Sequence, residues 1–293
     1  MRRSTVPHVE EIPGGANYIT DRDYRFICDL VYEFSRISLG DNKKELVTAR
    51  LGKRLRALNL KSFAEYRQYL ESDNSEEELV HLVDCISTNH THFFREIKHF
   101  DFLRERALPD FCLRFGEKGQ RHFYAWSAAC SSGDEPYSMA ISLAEFFTGK
   151  AGYDWRIEAT DISTKVLKTA QTAVYPKERV QEVQRDLLRR YFQKGVHDWD
   201  GYFRVKKTLR DRIYFSNLNL LQYPYPFHEP FHVIFCRNVM IYFDRPTQEE
   251  LINQLHHHLH IGGFLMIGHA ESLTGIRHPY RMIKPSIYQK ISD

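Results

Sequence analysis

A short stretch of small and acidic side chains, residues 128–136 (AACSSGDEP), has the clearest potential for chemistry. It follows an apolar segment, His122–Ser127, that predicts a buried strand, and it precedes a helical pattern. Small residues at a strand-to-helix turn let the backbone approach a ligand closely. Two carboxylates, Asp134 and Glu135, would repel phosphate there, and Gly133 alone cannot supply the G-x-G-x-x-G fingerprint of a dinucleotide site. The pattern disfavours a nicotinamide dehydrogenase and favours a ligand with positive charge or hydroxyl groups.

A third acidic residue, Asp161, follows the next predicted strand, Trp155–Thr160, and stands 26 residues beyond Glu135. A carboxylate at that position is well placed to accept hydrogen bonds from ribose hydroxyls. Together the two sites indicate a nucleoside ligand without a phosphate chain, and S-adenosylmethionine fits that description. Taken alone, the acidic pair before the helix is equally explained as a complement to the helix dipole.

The first part of the chain shows only helical periodicity. Residues 1–17 are rich in proline and glycine and predict a flexible arm. Four amphipathic helices follow up to about residue 90: one from Thr20 or Asp21 to Phe34, then Lys44–Leu58, Ser62–Glu71 and Ser75–Thr88. This pattern predicts a small helical domain.

After residue 120, apolar strands alternate with helices, which predicts β-α-β units and a parallel sheet. Besides the segments already given, the strands are Val233–Cys236 and Phe264–Gly268, and the helices are Pro136–Phe147, Ser163–Ala173 and Thr247–His260. Two further aromatic and β-branched strands, Tyr202–Val205 and Arg212–Phe215, are predicted to form a small antiparallel insertion.

The composition sets the class of protein. A chain of 293 residues suggests about two domains, and 42% hydrophobic with 27% charged residues excludes disorder as the main state. No run approaches the ~20 apolar residues that span a bilayer, and the start lacks the apolar core of a secretion signal. The net charge of +3 gives no global case for nucleic-acid binding.

Neither the cysteines nor the histidines predict a metal site. The five cysteines are widely spaced, odd in number and without a C-x-x-C pair, which argues against a disulfide framework and a thiolate zinc site. Four histidines cluster at the end of a predicted helix without sharing one face: His256, His257, His258 and His260. We therefore expect no metal.

Four separated motifs occur in an order that resembles the CheR family of chemotaxis receptor glutamate methyltransferases. They are residues 88–96 (TNHTHFFRE), 126–138 (WSAACSSGDEPYS), 235–243 (FCRNVMIYF), and 262–263 (GG) with 268–271 (GHAE). The resemblance covers roughly residues 16–291. The departures are mild: Ser132 and Asp134 stand where Thr and Glu are usual, and His90 and His92 occupy more variable positions.

The resemblance implies an α/β fold, a Rossmann-like class I S-adenosylmethionine-dependent methyltransferase sheet with a small N-terminal all-helical domain and a small antiparallel β insertion. The expected divisions are an arm (1–15), a helical receptor-recognition domain (16–89), a linker (90–100) and a methyltransferase domain (101–293) with a β subdomain at about 186–216.

The resemblance also implies the site residues. Those expected to bind S-adenosylmethionine, and its product S-adenosylhomocysteine, are Asn89, Thr91, Arg95, Glu135, Asp161, Asn219, Leu220, Arg237 and Asn238. Arg95 and Tyr242 are expected to be catalytic, since they look closest to the reacting group. Two simpler roles stay open: Asn238 holds only its own turn, and Arg95 only pairs with Glu96 or a nearby acid.

The expected chemistry needs no base. A glutamate side chain with a pKa of ~4.3 is already ionised at neutral pH, and the sulfonium is already activated. The enzyme must hold carboxylate oxygen, methyl carbon and sulfur in line, and such positioning supplies ~7–11 kcal/mol in favourable cases. We expect Arg95 and the Tyr242 hydroxyl to orient the substrate carboxylate.

The expected partners are the glutamate-rich methylation helices of methyl-accepting chemoreceptors, in the cytoplasm, with methyl esters formed for chemotaxis adaptation. A basic helix face with Arg50, Lys53 and Arg54 would steer these helices toward the pocket, although a merely solvated face explains it too. By resemblance, the insertion at Asp186–Ser216 can bind a C-terminal tethering peptide of the receptor. Nucleic acid is not an expected partner, and the chain is not expected to be a membrane protein itself.

Two other readings stay open. The first is a methyltransferase of the same fold acting on nucleic acid or a small molecule; against it, the [D/N/S]-P-P-[Y/F/W] signature of amino-adenine enzymes is replaced by residues 236–239 (CRNV). The second is a catalytically silent module that binds cofactor or receptor, which the intact Arg95, Glu135, Asp161 and Tyr242 disfavour.

Overall fold

The chain divides into two compact units. The computed structural model describes residues 18–72, 75–87 and 89–292. Of these, residues up to 34 and residues 39–86 belong to the first unit, and residues 35–38 and 87–292 to the second. The predicted arm, residues 1–15, lies outside the described residues.

The first unit is helical, as its periodicity predicts. Its helices are α1 (Asp21–Ser35), α2 (Lys44–Ala57), α3 (Phe63–Leu70) and α4 (Ser75–Ile86). The apolar stripe of α2 is buried at Val47, Leu51 and Leu55. Helix α3 begins after Ser62, whose hydroxyl accepts a hydrogen bond from the backbone N–H of Glu65 at 3.2 Å. The described part of this unit contains no strand.

A buried carboxylate ties three helices of this unit together. Glu78 on α4 is 2% exposed and binds Arg54 of α2, with Nη2 2.5 Å from Oε2. The hydroxyl of Tyr66 on α3 donates to its other oxygen at 2.7 Å. A buried charge requires such partners because isolation from water is costly. Arg54 therefore has a structural task within its own unit.

The second unit is built on a seven-stranded sheet. Its strands are β1 (His122–Ala128), β2 (Asp154–Asp161), β6 (Ile213–Asn217), β7 (Phe231–Cys236), β8 (Leu259–Ile267), β9 (Tyr280–Lys284) and β10 (Ile287–Lys290), in the order β6-β2-β1-β7-β8-β10-β9. The first five in that order are parallel, and β10 runs antiparallel to both of its neighbours. The predicted α/β sheet is thereby confirmed.

Helices cover both faces of this sheet. They are α5 (Ile97–Phe102), α6 (Leu108–Arg114), α7 (Asp134–Phe147), α8 (Thr164–Thr172), α9 (Arg185–Tyr191), α10 (Lys207–Arg210) and α11 (Arg245–His257), with a π-helical turn, Leu103–Ala107, joining α5 to α6. Alternate strand residues enter opposite cores. Ala125 and Val233 lie in one apolar cluster, and Trp126 and Ile234 lie in the other.

A smaller antiparallel sheet, the insertion sheet, has the order β3-β5-β4, from β3 (Val174–Pro176), β5 (Tyr202–Val205) and β4 (Phe192–Lys194). The expectation that Arg212–Phe215 also belongs to it is wrong. That segment forms β6, which pairs in parallel with β2, Ile213 opposite Ile157. A short aromatic strand has the same local pattern in either sheet, and only its distant partner decides its place.

One boundary also differs from the pattern. Helix α11 ends at His257, and β8 already begins at Leu259, although Gly262 and Gly263 interrupt the apolar run. The pairing of β8 with β7 shifts in register here, and Gly262 has φ +87°. Such an irregularity lets the strand continue through glycines that look like a break in sequence.

Candidate active site

The carboxyl ends of β1, β2, β6, β7 and β8 lie along one edge of the sheet, called here the carboxyl edge. In open α/β sheets, ligands bind in the crevice outside this edge. Most of the predicted site residues of the second unit lie at the ends of these strands, in the turns after them or in the first turn of α7. The exceptions are Asn89, Thr91 and Arg95, which lie on the segment before α5, and Tyr242, which lies in the turn Met240–Tyr242 beyond β7.

The loop from β1 to α7 has an unusual backbone. Ala129, Ser131 and Gly133 all have positive φ, between +51° and +92°. A Cβ at Gly133 would lie 2.8 Å from the Tyr175 hydroxyl and 2.9 Å from the Ala170 Cβ, so this turn requires glycine.

Asp161, at the end of β2, anchors this loop. Its Oδ2 accepts a hydrogen bond from the Ser131 N–H at 2.8 Å, and its Oδ1 accepts one from the Ser163 N–H at 2.9 Å. Its own carbonyl accepts bonds from the Asn217 side chain and the Leu218 N–H, both at 3.1 Å. Asp161 thus joins the ends of β1, β2 and β6.

Glu135, in the first turn of α7, is held between two strand ends. The Ser127 hydroxyl on β1 donates to Oε1 at 2.7 Å, and Arg237 Nη1, just after β7, lies 3.1 Å from Oε2. Burial raises the pKa of Glu135, while Arg237 and Ser127 oppose that shift. Glu135 therefore does more than complement the helix dipole, because it links α7 to Arg237.

Arg237 is the centre of this network. Its side chain is 1% exposed. Besides Glu135 it binds Glu96, with Nη2 3.0 Å from Oε2, and Nη2 also donates to the Arg95 carbonyl. A guanidinium with several fixed partners holds the segment before α5 against the carboxyl edge.

The surroundings of Arg237 are otherwise apolar. The rings of Phe100 and Phe235 each lie 5.6 Å from its guanidinium carbon. Its Nε is buried without a hydrogen-bond partner in the described part of the chain. Apolar surroundings of this kind strengthen the attraction between the guanidinium and the nearby carboxylates.

Glu96 is a site residue that the sequence analysis did not assign. It has φ +57°, and its Oε1 accepts bonds from the His269 N–H at 3.1 Å and the Asn238 amide at 3.4 Å. Burial alone would raise its pKa, but Arg237 and the His269 N–H more than offset this, so the pKa of Glu96 lies below its usual value. The Arg237 guanidinium thus pairs with the Glu96 carboxylate, whereas Arg95 contributes only its backbone carbonyl to this network.

Glu271 is the second unassigned residue, and it fixes the turn after β7. Its carboxylate accepts bonds from the N–H groups of Asn238 at 2.9 Å, Met240 at 2.8 Å and Gly268 at 2.6 Å. A Cβ at Gly268 would lie 2.4 Å from the Asn238 amide nitrogen. Asn238 itself has φ +59°, so its turn depends on Glu271. Glu96 and Glu271 both lie within the family motifs quoted above, and that position is the sequence signal that could have identified them as site residues.

The segment before α5 also meets the β1–α7 loop. The Ser131 hydroxyl donates to the Asn89 carbonyl at 3.1 Å, and the Phe94 N–H donates to the Ser138 hydroxyl at 2.9 Å. The Arg95 guanidinium donates to the His90 carbonyl at 2.9 Å. Thr91 lies between Asn89 and Phe94 in sequence, and its side chain is partly buried.

Three further predicted residues lie near the ends of β6 and β7. Asn219 accepts a hydrogen bond from the Leu221 N–H at 3.0 Å and so shapes its own turn. Leu220 is 7% exposed and belongs to the apolar core. Tyr242 is partly buried, and its carbonyl accepts a bond from the Ser38 N–H at 2.9 Å.

The predicted receptor-binding residues lie on α2, in the first unit. Lys53 is exposed. Arg50 donates to the Ile86 carbonyl, and Arg54 pairs with buried Glu78. Two of the three therefore have partners inside their own unit.

A carboxyl edge with acidic side chains at neighbouring strand ends, and without a glycine-rich phosphate loop, is typical of an S-adenosylmethionine-dependent methyltransferase, and comparison with known proteins agrees. Residues 89–289 match "CheR methyltransferase, SAM binding domain", and residues 22–87 match "CheR methyltransferase, all-alpha domain". The chain belongs to the CheR methyltransferase family.

Relatives match over nearly their whole length. A chemotaxis protein methyltransferase of Borreliella burgdorferi is 38% identical over 93% of this chain and 95% of its own. One of Salmonella typhimurium is 38% identical over 94% of this chain and 92% of its own. Among solved structures, an S-adenosylmethionine-dependent methyltransferase from Clostridium acetobutylicum is 16% identical, covers 66% of this chain and 57% of its own, and has a TM-score of 0.32. That likeness is too remote to support an inference.

Within the described residues, no helix has both the length and the apolarity needed to cross a bilayer.

Proposed function

We propose that this methyltransferase transfers the methyl group of S-adenosylmethionine to glutamate side chains of methyl-accepting chemoreceptors in the cytoplasm. The products are glutamyl methyl esters, which serve adaptation in chemotaxis, and S-adenosylhomocysteine. The names of the relatives support the acceptor. The observation that carries the proposal is the buried network of Glu135, Arg237 and Glu96 at the carboxyl edge.

The acceptor groups at this edge fit the cofactor. Asp161 and Glu135 present carboxylates at neighbouring strand ends, as hydroxyl groups and an ammonium group require. The carboxylates of Glu96, Glu135 and Glu271 outnumber the guanidinium of Arg237, which favours a cation. When bound, S-adenosylmethionine supplies a methyl group on a positively charged sulfur.

The remaining predicted residues would line the same pocket. Those proposed to contact the cofactor, besides Glu135 and Asp161, are Asn89, Thr91, Arg95, Asn219, Leu220, Arg237 and Asn238. Their support is their position along the carboxyl edge or on the segment that Arg237 and Ser131 hold against it.

Arg95 and Tyr242 are proposed to orient the acceptor carboxylate. A glutamate with a pKa of about 4.3 is ionised at neutral pH, so no residue has to remove a proton. The task of the two side chains is to place the oxygen for in-line attack and to replace its water of hydration without binding it too tightly. This chemistry asks for no metal.

The first unit is proposed as the receptor-recognition domain, with exposed Lys53 as a basic group for acidic helices. Arg50 and Arg54 would add positive charge there, although both also bind partners inside the unit. The insertion sheet is proposed to receive a tethering peptide of the receptor by strand addition.

A labelling experiment tests the acceptor. The full chain is incubated with S-adenosylmethionine carrying a radioactive methyl group and with receptor-rich membranes, and base is then added. Glutamyl methyl esters release volatile methanol, so base-labile label supports the proposal. Base-stable label would favour an acceptor of another kind, and absence of label would favour a silent binding module.

A further inference from the structure

His99, in the first helical turn of α5, is a buried polar side chain without a hydrogen-bond partner. The residue is 1% exposed, and neither ring nitrogen makes a hydrogen bond within the described part of the chain. Burial lowers its pKa to about 3, which keeps the imidazole neutral and its lone pair available. A buried polar group without a partner is costly, which is the reason to look for a ligand of this ring.

Two other metal-ligating side chains converge on this ring. Glu96 Oε2 lies 3.4 Å from His99 Nδ1, and the rings of His99 and His269 have their centroids 4.8 Å apart. Among the described residues, these three form a group whose ligand atoms all lie within 4.8 Å of one another. His269 is exposed, so the group is reached from solvent.

We propose that Glu96, His99 and His269 bind a divalent transition metal ion of the zinc type. Two imidazoles and one carboxylate are a common set for Zn²⁺, with bonds of about 2.0–2.2 Å and water at a fourth position. For a tetrahedral ion, neighbouring ligand atoms are then about 3.3 Å apart. The 3.4 Å separation of Glu96 Oε2 and His99 Nδ1 already matches this, and the His269 side chain, which supplies the third ligand, is exposed.

Our expectation of no metal rested on the cysteines and on the histidines near the end of α11. Neither argument excludes a site whose ligands come from two distant segments of the chain. Glu96 and His269 stand 173 residues apart. The sheet brings these segments together, because His269 follows β8 at the carboxyl edge.

The ion would compete with Arg237. Glu96 Oε2 is the atom that Arg237 Nη2 contacts at 3.0 Å, and Arg237 in turn holds Glu135. Binding of a dication to Glu96 weakens its bond to Arg237, and Arg237 then pairs more strongly with Glu135, which withdraws that carboxylate from the cofactor. We therefore infer that the metal and the cofactor oppose each other; this second part rests on the proposed cofactor site, whereas metal binding itself does not.

The first test is a titration of the full chain, prepared without a histidine tag, with Co²⁺ and then Zn²⁺, followed by visible absorption and calorimetry. We expect one ion per chain. His269→Ala removes an exposed ring but keeps the N–H that donates to Glu96, and His99→Phe replaces the buried ring by an apolar one. The His269→Ala and His99→Phe variants should each bind the metal tenfold to a hundredfold more weakly. His257→Ala, in the histidine-rich segment, should leave metal affinity unchanged.

The result that overturns the site is equal metal affinity in the parent, His269→Ala and correctly folded His99→Phe proteins, or a loss confined to His257→Ala. Near-ultraviolet circular dichroism establishes that the variants are folded. The second test measures S-adenosylhomocysteine binding with and without one equivalent of Zn²⁺. We expect at least fivefold weaker binding with zinc in the parent and no change in His269→Ala; a zinc-independent affinity in the parent overturns the coupling.

Discussion

Arg237 and Glu135 form a buried ion pair, 3.1 Å between Nη1 and Oε2, that joins the end of β7 to the first turn of α7. The two residues stand 102 positions apart in sequence. With Glu96 on the second amino group of the guanidinium, this pair fixes three segments around the proposed cofactor pocket. The pair therefore has a structural role besides the cofactor-binding role proposed for its residues.

Glu135→Gln should weaken S-adenosylhomocysteine binding. The neutral amide loses the charge-assisted bonds proposed for the cofactor, worth about 1.5–3 kcal/mol, or roughly tenfold to a hundredfold in the dissociation constant. Calorimetric titration measures this, with exposed Glu178→Gln as the matched control. Unchanged affinity in Glu135→Gln would remove the residue from the proposed cofactor site.

Tyr242→Phe should lower turnover by about tenfold to a hundredfold and leave cofactor affinity nearly unchanged, because the hydroxyl is proposed to orient only the acceptor carboxylate. Steady-state methylation rates and S-adenosylhomocysteine titration separate the two effects. Tyr214→Phe, on an exposed ring of β6, is the control. The same experiment on Arg95→Ala tests its partner, and full turnover in both variants would refute the assignment.

Lys53→Glu should slow receptor methylation several-fold at low salt and much less at high salt, since the proposed effect of this exposed cation is to steer an acidic partner. Initial rates at two ionic strengths measure it. Lys168→Glu, an exposed lysine on α8, carries the same charge change outside the first unit. Equal rates for the two variants would contradict receptor steering by α2.

His232 makes the stability of the second unit depend on pH. Burial, aided by His260, lowers its pKa to about 3, and its Nδ1 accepts a bond from the Tyr124 N–H. The unfolded chain binds a proton near pH 6.5 and the folded chain does not, so stability is lost as the pH falls below about 6.5. The loss from this residue is about 2 kcal/mol between pH 7 and pH 5.

Denaturant unfolding at several pH values measures this effect. His232→Asn keeps an acceptor for Tyr124 but does not titrate, so it should flatten the curve relative to the parent. Exposed His197→Asn should leave the slope as it was. An identical slope in the His232 variant would show that another group dominates.

Local pattern was enough for the elements but not for their partners. The helical spacing of Val47, Leu51 and Leu55 predicts α2 because periodicity is a local property. Strand β6 was assigned to the wrong sheet because its neighbour, β2, lies more than fifty residues away. Likewise, the sequence near Arg54 does not predict that this residue pairs with the buried carboxylate of Glu78.

The same limit applies to the site. Acidic residues after β1 and β2 could be predicted, since strand ends in such folds meet at one edge. The roles of Glu96 and Glu271 could not, because their donors come from Arg237, Asn238 and Gly268, which only the folded sheet brings near.

The two backbone amides that hold the Asp161 carboxylate have a consequence for ligand capture. Since the N–H groups of Ser131 and Ser163 each hold one carboxylate oxygen, Asp161 is already ordered in the proposed cofactor site before a ligand binds. Binding at the proposed site then costs little conformational entropy for this side chain, so more of the interaction energy appears as affinity.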